Sequence, residues 1–148
     1  MTIRIAREVL DEIHAHTEAV YPEECCGLLI AGDATVAPGK REPWKTIIGS
    51  IRMRNAHEGS KRDRYSIDPL ELFRADRAIA QKGLAITGIY HSHPDSPASL
   101  SHFDLQHSFP WYSYMVVSVP NGRAGETKLW TLLEDRKSVI GEEMEILD

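Results

Sequence analysis

The stretch Ile89 to His107, IYHSHPDSPASLSHFDLQH, carries two histidines one residue apart, His91 and His93, then Pro94, a polar loop, Ser101 and Asp104. Residues of these types suit a metal. Zn2+ binds nitrogen and oxygen ligands tetrahedrally, and a catalytic site keeps one position open for water. The preceding segment Leu84 to Tyr90, LAITGIY, is apolar and partly β-branched, which predicts a buried strand. Residues two apart on a strand share a face, so His91 and His93 project together from its C-terminal end. Pro94 has no backbone donor and stops the strand. The Ser- and Pro-containing run Asp95 to Leu100 is a turn. Ser101 to Phe109 then predicts a short helix with Asp104 in its first turn. A return over so short a loop can bring Asp104 back to the histidines, giving two nitrogens and one carboxylate.

A second reading competes with this one. Ser101 and Asp104 also match the S-x-x-D capping pattern, in which both side chains serve a helix N-terminus. A lone His-x-His is weak in a chain with seven histidines. The spacing alone leaves metal site and helix cap open.

The pattern His-x-His, seven residues, Ser, two residues, Asp resembles the signature of the JAMM (MPN+) metalloproteases, and His91, His93, Ser101 and Asp104 match it without a departure in spacing. Bacterial members also carry Pro-x-Glu-x-Cys-Gly upstream. Pro22, Glu24, Cys26 and Gly27 fall in that register, with Glu23 at the variable position. Taken without the resemblance, Glu23 and Glu24 would be a solvated turn before a strand. The resemblance implies one Zn2+ per chain, held by His91, His93 and Asp104. It implies Glu24 as the general base on a zinc-bound water, passing the proton on to the leaving amine. Ser101 is implied as the donor that stabilises the tetrahedral oxyanion.

The rest of the chain supplies the elements that position these groups. At 148 residues it is read as one domain, residues 1–148, large enough to bury its own core. Thr2 to Ile5 is a candidate first strand, and Arg7 to Val20 a helix with Val9, Leu10, Ile13 and Val20 inward. Cys25 to Ala31 suits a central strand. A turn around Pro38 and Gly39 precedes a strand, TIIGSIRMR, with one wet face. Asn55 to Arg64 is polar and reads as a solvated loop, with a flap beside the substrate as the less favoured reading. Asp68 to Lys82 is a helix with Asp68 as cap, Pro69 in its first turn, Glu71 completing a capping box, and Leu72, Phe73, Ile79 and Ala80 inward. Gly83 stops it. Tyr112 to Val119 is a strand, Asn121 and Gly122 a turn, and Lys128 to Leu133 and Ser138 to Ile146 the closing strands. Trp111, Tyr112 and Tyr114 are read as core, with a peptide groove as the lesser alternative. His102 and His107 are read as exposed helix residues.

Composition narrows the function classes. With 17 basic and 22 acidic residues the formal charge is −5, which does not suggest a nucleic-acid partner. No apolar run is long enough for a membrane span, and the N-terminus lacks the apolar core of a signal peptide. Cys25 and Cys26, the only two cysteines, are adjacent and read as buried filler in a reducing, cytoplasmic setting. A thiol nucleophile is not indicated, since an apolar strand does not activate one. A zinc deaminase would need H-x-E and P-C-x-x-C, and neither is present.

The resemblance runs from the first helix to about Val119 and is closest to the short prokaryotic members. It implies an α/β (α+β) fold, a curved mixed β-sheet flanked by helices and related to cytidine deaminase. It implies hydrolysis of the amide bond after the C-terminal Gly-Gly of a ubiquitin-like sulfur carrier protein, in cysteine or other sulfur-cofactor biosynthesis. Such a tail binds as an added strand, mainly through main-chain hydrogen bonds. A homodimer is compatible with the family, though no sequence stripe demands one. Two alternatives stay open: a small-peptide or amide metallohydrolase without such a partner, and a non-catalytic MPN scaffold. The scaffold reading expects broken ligands, and here all are intact.

Overall fold

The computed structural model describes residues 2–32, 44–110, 112–135 and 138–148. The turn expected around Pro38 and Gly39, and Trp111, lie outside the described residues. The chain forms strand β1 (Thr2–Ala6), helix α1 (Arg7–Val20), β2 (Cys26–Ala31), β3 (Trp44–Met53), α2 (Pro69–Ala80), β4 (Ala85–Pro94), α3 (His102–Gln106), β5 (Ser113–Val119), β6 (Thr127–Leu132) and β7 (Val139–Leu147). The strands lie in the order β1-β3-β2-β4-β5-β6-β7. The sheet is mixed: β1 runs parallel to β3 and β4 parallel to β5, while β2 is antiparallel to both β3 and β4. The curved mixed sheet flanked by helices is therefore as expected. The curvature goes further than expected, because β1 also pairs in parallel with β7 and closes the sheet into a barrel.

Alternation along the central strands divides the core. On β2, Leu29 joins Ile3, Ile5, Leu10, Ile13 and Met115 in a cluster that includes α1. Leu28 and Ile30 point the other way, to Ile79 of α2, Ile89 and Tyr114. Both faces of β2 are thus covered, which is why CGLLIA is apolar at successive positions. On β4 the same rule sends Tyr90 to the α1 side and Ile89 to the α2 side. His91 and His93 follow in the phase of Ile89.

The face of α2 corrects the sequence reading. Ile79 is buried, and Leu72 and Ala75 pack beside it, a spacing of i, i+3 and i+7. Phe73, at 55% exposure, and Ala80 face outward instead. Leu72 and Phe73 are adjacent, so an inward stripe can run through only one of them. Asp68 caps α2 by accepting from the Leu70 and Glu71 amides. Glu71 is turned to Arg54, its carboxylate accepting at 3.3 Å. Gly83 stops the helix region at φ +74°, where side-chain-bearing residues are strained.

Gly27 answers to a different constraint. A Cβ built there would come within 2.2 Å of the Tyr90 ring. Tyr90 in turn bonds its hydroxyl to His16 Nδ1 at 2.6 Å, so a buried polar pair ties α1 to β4 on the opposite face of the strand from the two histidines. His16 and Thr17 join Leu10 and Ile13 on the buried face of α1.

Candidate active site

His91 and His93 close β4, and the strand runs through both to Pro94. The parallel neighbour β5 carries the pairing as far as Val119, which holds the C-terminal end of β4 rigid. Asp95 adopts φ +54° and turns the chain away. Its carboxylate accepts from the Tyr21 hydroxyl at 2.7 Å and the Asn121 amide at 2.8 Å, fastening the turn to two other segments. Those bonds hold the Asp95 carboxyl below its ordinary range. The chain then reaches α3, shorter than expected at five residues.

Ser101 and Asp104 form a full capping box on α3. The Asp104 amide donates to Ser101 Oγ at 3.0 Å, and Asp104 Oδ2 accepts from the Ser101 amide at 2.9 Å. The same Oδ2 lies 3.1 Å from His91 Nε2 and 3.2 Å from His93 Nε2, and the two nitrogens are 3.1 Å apart. The capping box is realised, and the same carboxylate is brought to both histidines. The cap is what aims the carboxylate.

The proton count at this triangle decides its chemistry. His93 Nδ1 lies 2.8 Å from the Pro97 carbonyl, which can only accept, so Nδ1 carries a proton, and in the neutral ring Nε2 is the atom that presents a lone pair. Burial lowers the pKa of His91 and keeps it neutral, so it brings at most one proton. Burial works against ionising Asp104, but its contacts with His91 and His93, and the Ser101 amide after them, outweigh it and hold the carboxyl below the usual range. With both rings neutral, at most one proton is shared among the three converging atoms, so at least one side of the triangle sets lone pair against lone pair. A cation at their centre would relieve that repulsion. The spacing suits it, since tetrahedral ligands at about 2.0 Å from zinc stand about 3.3 Å apart.

Glu24 faces this group from the turn before β2. It is buried, and its Oε1 has no hydrogen-bond partner among the described residues. Ligand atoms of Glu24, His91 and His93 all lie within 4.8 Å of one another. Burial, with the nearby charges of Asp104 and Asp63, pushes the Glu24 carboxyl up to about 9. An open cleft of about 250 Å³ leads in, lined by Glu24, Arg62, Asp63, His93, Pro97 and Ser101 among others.

Several features went unread in the sequence. Tyr65 stacks on the His91 ring at 4.5 Å, and only its place just before α2 hinted at it. The loop Asn55 to Arg64, for which a place beside the substrate is the less favoured sequence reading, reaches the site: Arg62 and Asp63 line the cleft, and the Lys61 carbonyl accepts the Glu24 amide at 2.6 Å. Tyr114 is core, as expected, and Tyr112 packs against the α2 cluster. His102 and His107 are exposed on and beside α3. Cys25 and Cys26 are buried and free, and burial pushes their thiols up to about 11 and 12.

Residues 6–133 match the family described as prokaryotic homologs of the JAB domain. The chain belongs to that family. Within it, a Thermus thermophilus protein described as "Probable TtuB-protein conjugate cleaving protease" is 31% identical over 124 residues, 84% of this chain and 75% of its own length. A Haloferax volcanii protein described as "Desampylase" is 31% identical over 126 residues, 82% of this chain and 83% of its own. The crystal structure of a JAB1/MPN domain protein from Archaeoglobus fulgidus superposes with a TM-score of 0.60 at 17% identity, covering 98% of this chain and 99% of that one. That likeness is one of fold, and it shows this JAB-family chain to have the JAB/MPN architecture. No helix among the described residues is long and apolar enough to cross a membrane.

Proposed function

We propose that this JAB-family chain is a zinc-dependent metallo(iso)peptidase that hydrolyses the amide bond after the C-terminal Gly-Gly of a ubiquitin-like sulfur carrier protein. The observation that carries the metal is the triangle of His91 Nε2, His93 Nε2 and Asp104 Oδ2, three buried ligand-type atoms within 3.2 Å of one another with too few protons to hydrogen-bond every side. Two imidazoles and a carboxylate are a zinc-type donor set with a position left over. The names of the Thermus and Haloferax relatives support a protein-conjugate substrate.

His91, His93 and Asp104 would hold the ion. When bound, zinc acidifies water and polarises a carbonyl, which supplies the nucleophile and part of the charge stabilisation. Glu24, with Oε1 unpartnered and its ligand atom within 4.8 Å of those of both histidines, is left to serve a reacting water beside them. A cation held beside it would draw the carboxyl back toward its ionised form, and its unpartnered Oε1 would then take a proton and return it to the leaving amine. Ser101 Oγ accepts from the Asp104 amide, which uses a lone pair and leaves the hydroxyl proton to donate into the cleft. That proton can meet the developing oxyanion. The cleft beside His93 and Pro97 would receive the tail, whose two glycines bring no side chains to be accommodated. The free, buried Cys25 and Cys26 fit a reducing compartment, and we place the protein in the cytoplasm.

The substrate is tested by presenting the zinc-loaded protein with a ubiquitin-like carrier ending in Gly-Gly, amide-linked to a reporter, beside free peptides of the same terminal sequence. Cleavage of the carrier after the second glycine, well ahead of the peptides, is the expected result. Efficient cleavage of peptides alone would replace the carrier reading with a small-peptide hydrolase.

A further inference from the structure

Both backbone polar groups of Glu24 are held by one loop. Its N–H donates to the Lys61 carbonyl at 2.6 Å, and its carbonyl accepts from Asn55 Nδ2 at 3.1 Å. The sheet does not do this work, because β2 and its pairings with β3 and β4 begin only at Cys26. Nor does the side chain anchor itself, since Oε1 has no partner among the described residues. The direction of the carboxylate is therefore set by the backbone, and the backbone by this loop.

Asn55 is the centre of the arrangement. Nδ2 donates a second time to the Arg64 carbonyl at 3.0 Å, while Oδ1 accepts from the amides of His57 at 3.0 Å and Ser66 at 3.2 Å. Both donors and both acceptor sites of the amide are occupied. Three of these bonds fold the loop on itself, and the fourth reaches out to Glu24. The far side of the loop is fixed by Arg64, whose guanidinium lies 4.7 Å from the Phe103 ring centre on α3. The loop thus spans from the helix that carries Asp104 to the turn that carries Glu24.

We infer that Asn55 is the positioning residue for Glu24, a role that rests on Glu24 being the base. Aspartate at position 55 separates this from plain loop closure. It keeps an oxygen to accept from His57 and Ser66, so two of the three loop bonds remain, while the donors to the Glu24 and Arg64 carbonyls are both lost and a carboxylate is set against them. The zinc-loaded wild type, Asn55→Asp, Asn55→Ala and Glu24→Gln are compared on a ubiquitin-like protein whose Gly-Gly terminus carries a fluorogenic amine. Bound zinc, melting and amide exchange are read on the same samples.

The expected result is that Asn55→Asp holds wild-type zinc and melts close to wild type, with KM changed less than about twofold. Its kcat falls about 10- to 100-fold, as a small misplacement of a reacting group produces. Amide exchange at Glu24 speeds up while β4 stays protected. Wild-type kcat in Asn55→Asp with Glu24→Gln inactive would overturn the inference and leave the base assignment intact. Zinc, melting and kcat lost together in both Asn55 variants would also overturn it, making Asn55 a loop-closing residue only. Full activity in Glu24→Gln would remove the base assignment and this role with it.

Discussion

Ser101 and Asp104 exchange a reciprocal pair of hydrogen bonds at the start of α3, and the Asp104 oxygen that accepts the Ser101 amide is the one 3.1 Å from His91 Nε2. The helix cap and the carboxylate proposed to hold the metal are here the same atoms. Two substitutions at Ser101 should separate the roles. Alanine removes cap and hydroxyl together, while glycine retains most capping propensity, so Ser101→Ala should be less stable by about 1 kcal/mol and Ser101→Gly by only a few tenths. Both should lose about 2.7–4 kcal/mol of transition-state stabilisation, the cost of one oxyanion donor. Melting curves and kcat on the two variants give the comparison. Turnover that tracked stability instead would mean the hydroxyl only caps.

Metal should stabilise the fold through the three converging atoms. At free zinc a thousandfold above Kd, the gain is about 4 kcal/mol. For a chain of this length that is roughly 8–16 °C in Tm. His91→Ala and Asp104→Asn should abolish the shift. Calorimetry with and without chelator reads it directly, and an equal shift in all three proteins would place the ion elsewhere.

The metal-free protein should grow less stable as pH rises. The Glu24 carboxyl sits at about 9 when folded against an ordinary 4.5, so between those values the folded state keeps a proton that the unfolded state releases. Stability therefore falls across that window, at most by about 1.4 kcal/mol per pH unit from this group. Glu24→Gln, neutral throughout, should flatten the slope. The check is a series of denaturant midpoints from pH 5 to 9 in chelator.

Gly27→Ala should be destabilising by about 1–3 kcal/mol, the usual cost of overpacking. The added methyl meets the Tyr90 ring, which is held by His16 and cannot easily withdraw. Paired with Tyr90→Phe, which frees the ring from His16, the cost should shrink. A double-mutant cycle measures that coupling.

Much of this was legible from residue order because it is local. Helix α1 spans Arg7 to Val20 as its periodicity predicts, and β4 ends at Pro94 because proline cannot continue the ladder. The spacing from His91 to Asp104 is set by one strand, one turn and one cap, all short-range. What was not legible depends on distant partners. Pairing of Thr2 with Glu143 closes the barrel, and neither strand announces it. Phe73 was placed inward and lies outward because Leu72 alone meets Ile79's stripe. The loop from Asn55 to Arg64 looks like any solvated loop by charge. Its link to Glu24 runs through backbone groups, which carry no sequence signature.

The most direct test is a paired measurement on wild type and Glu24→Gln: bound zinc, then cleavage of a ubiquitin-like carrier amide-linked through its Gly-Gly terminus. The account predicts about one zinc in each protein, with cleavage after the second glycine by wild type alone. Equal cleavage by both proteins, or no zinc in wild type, would contradict it.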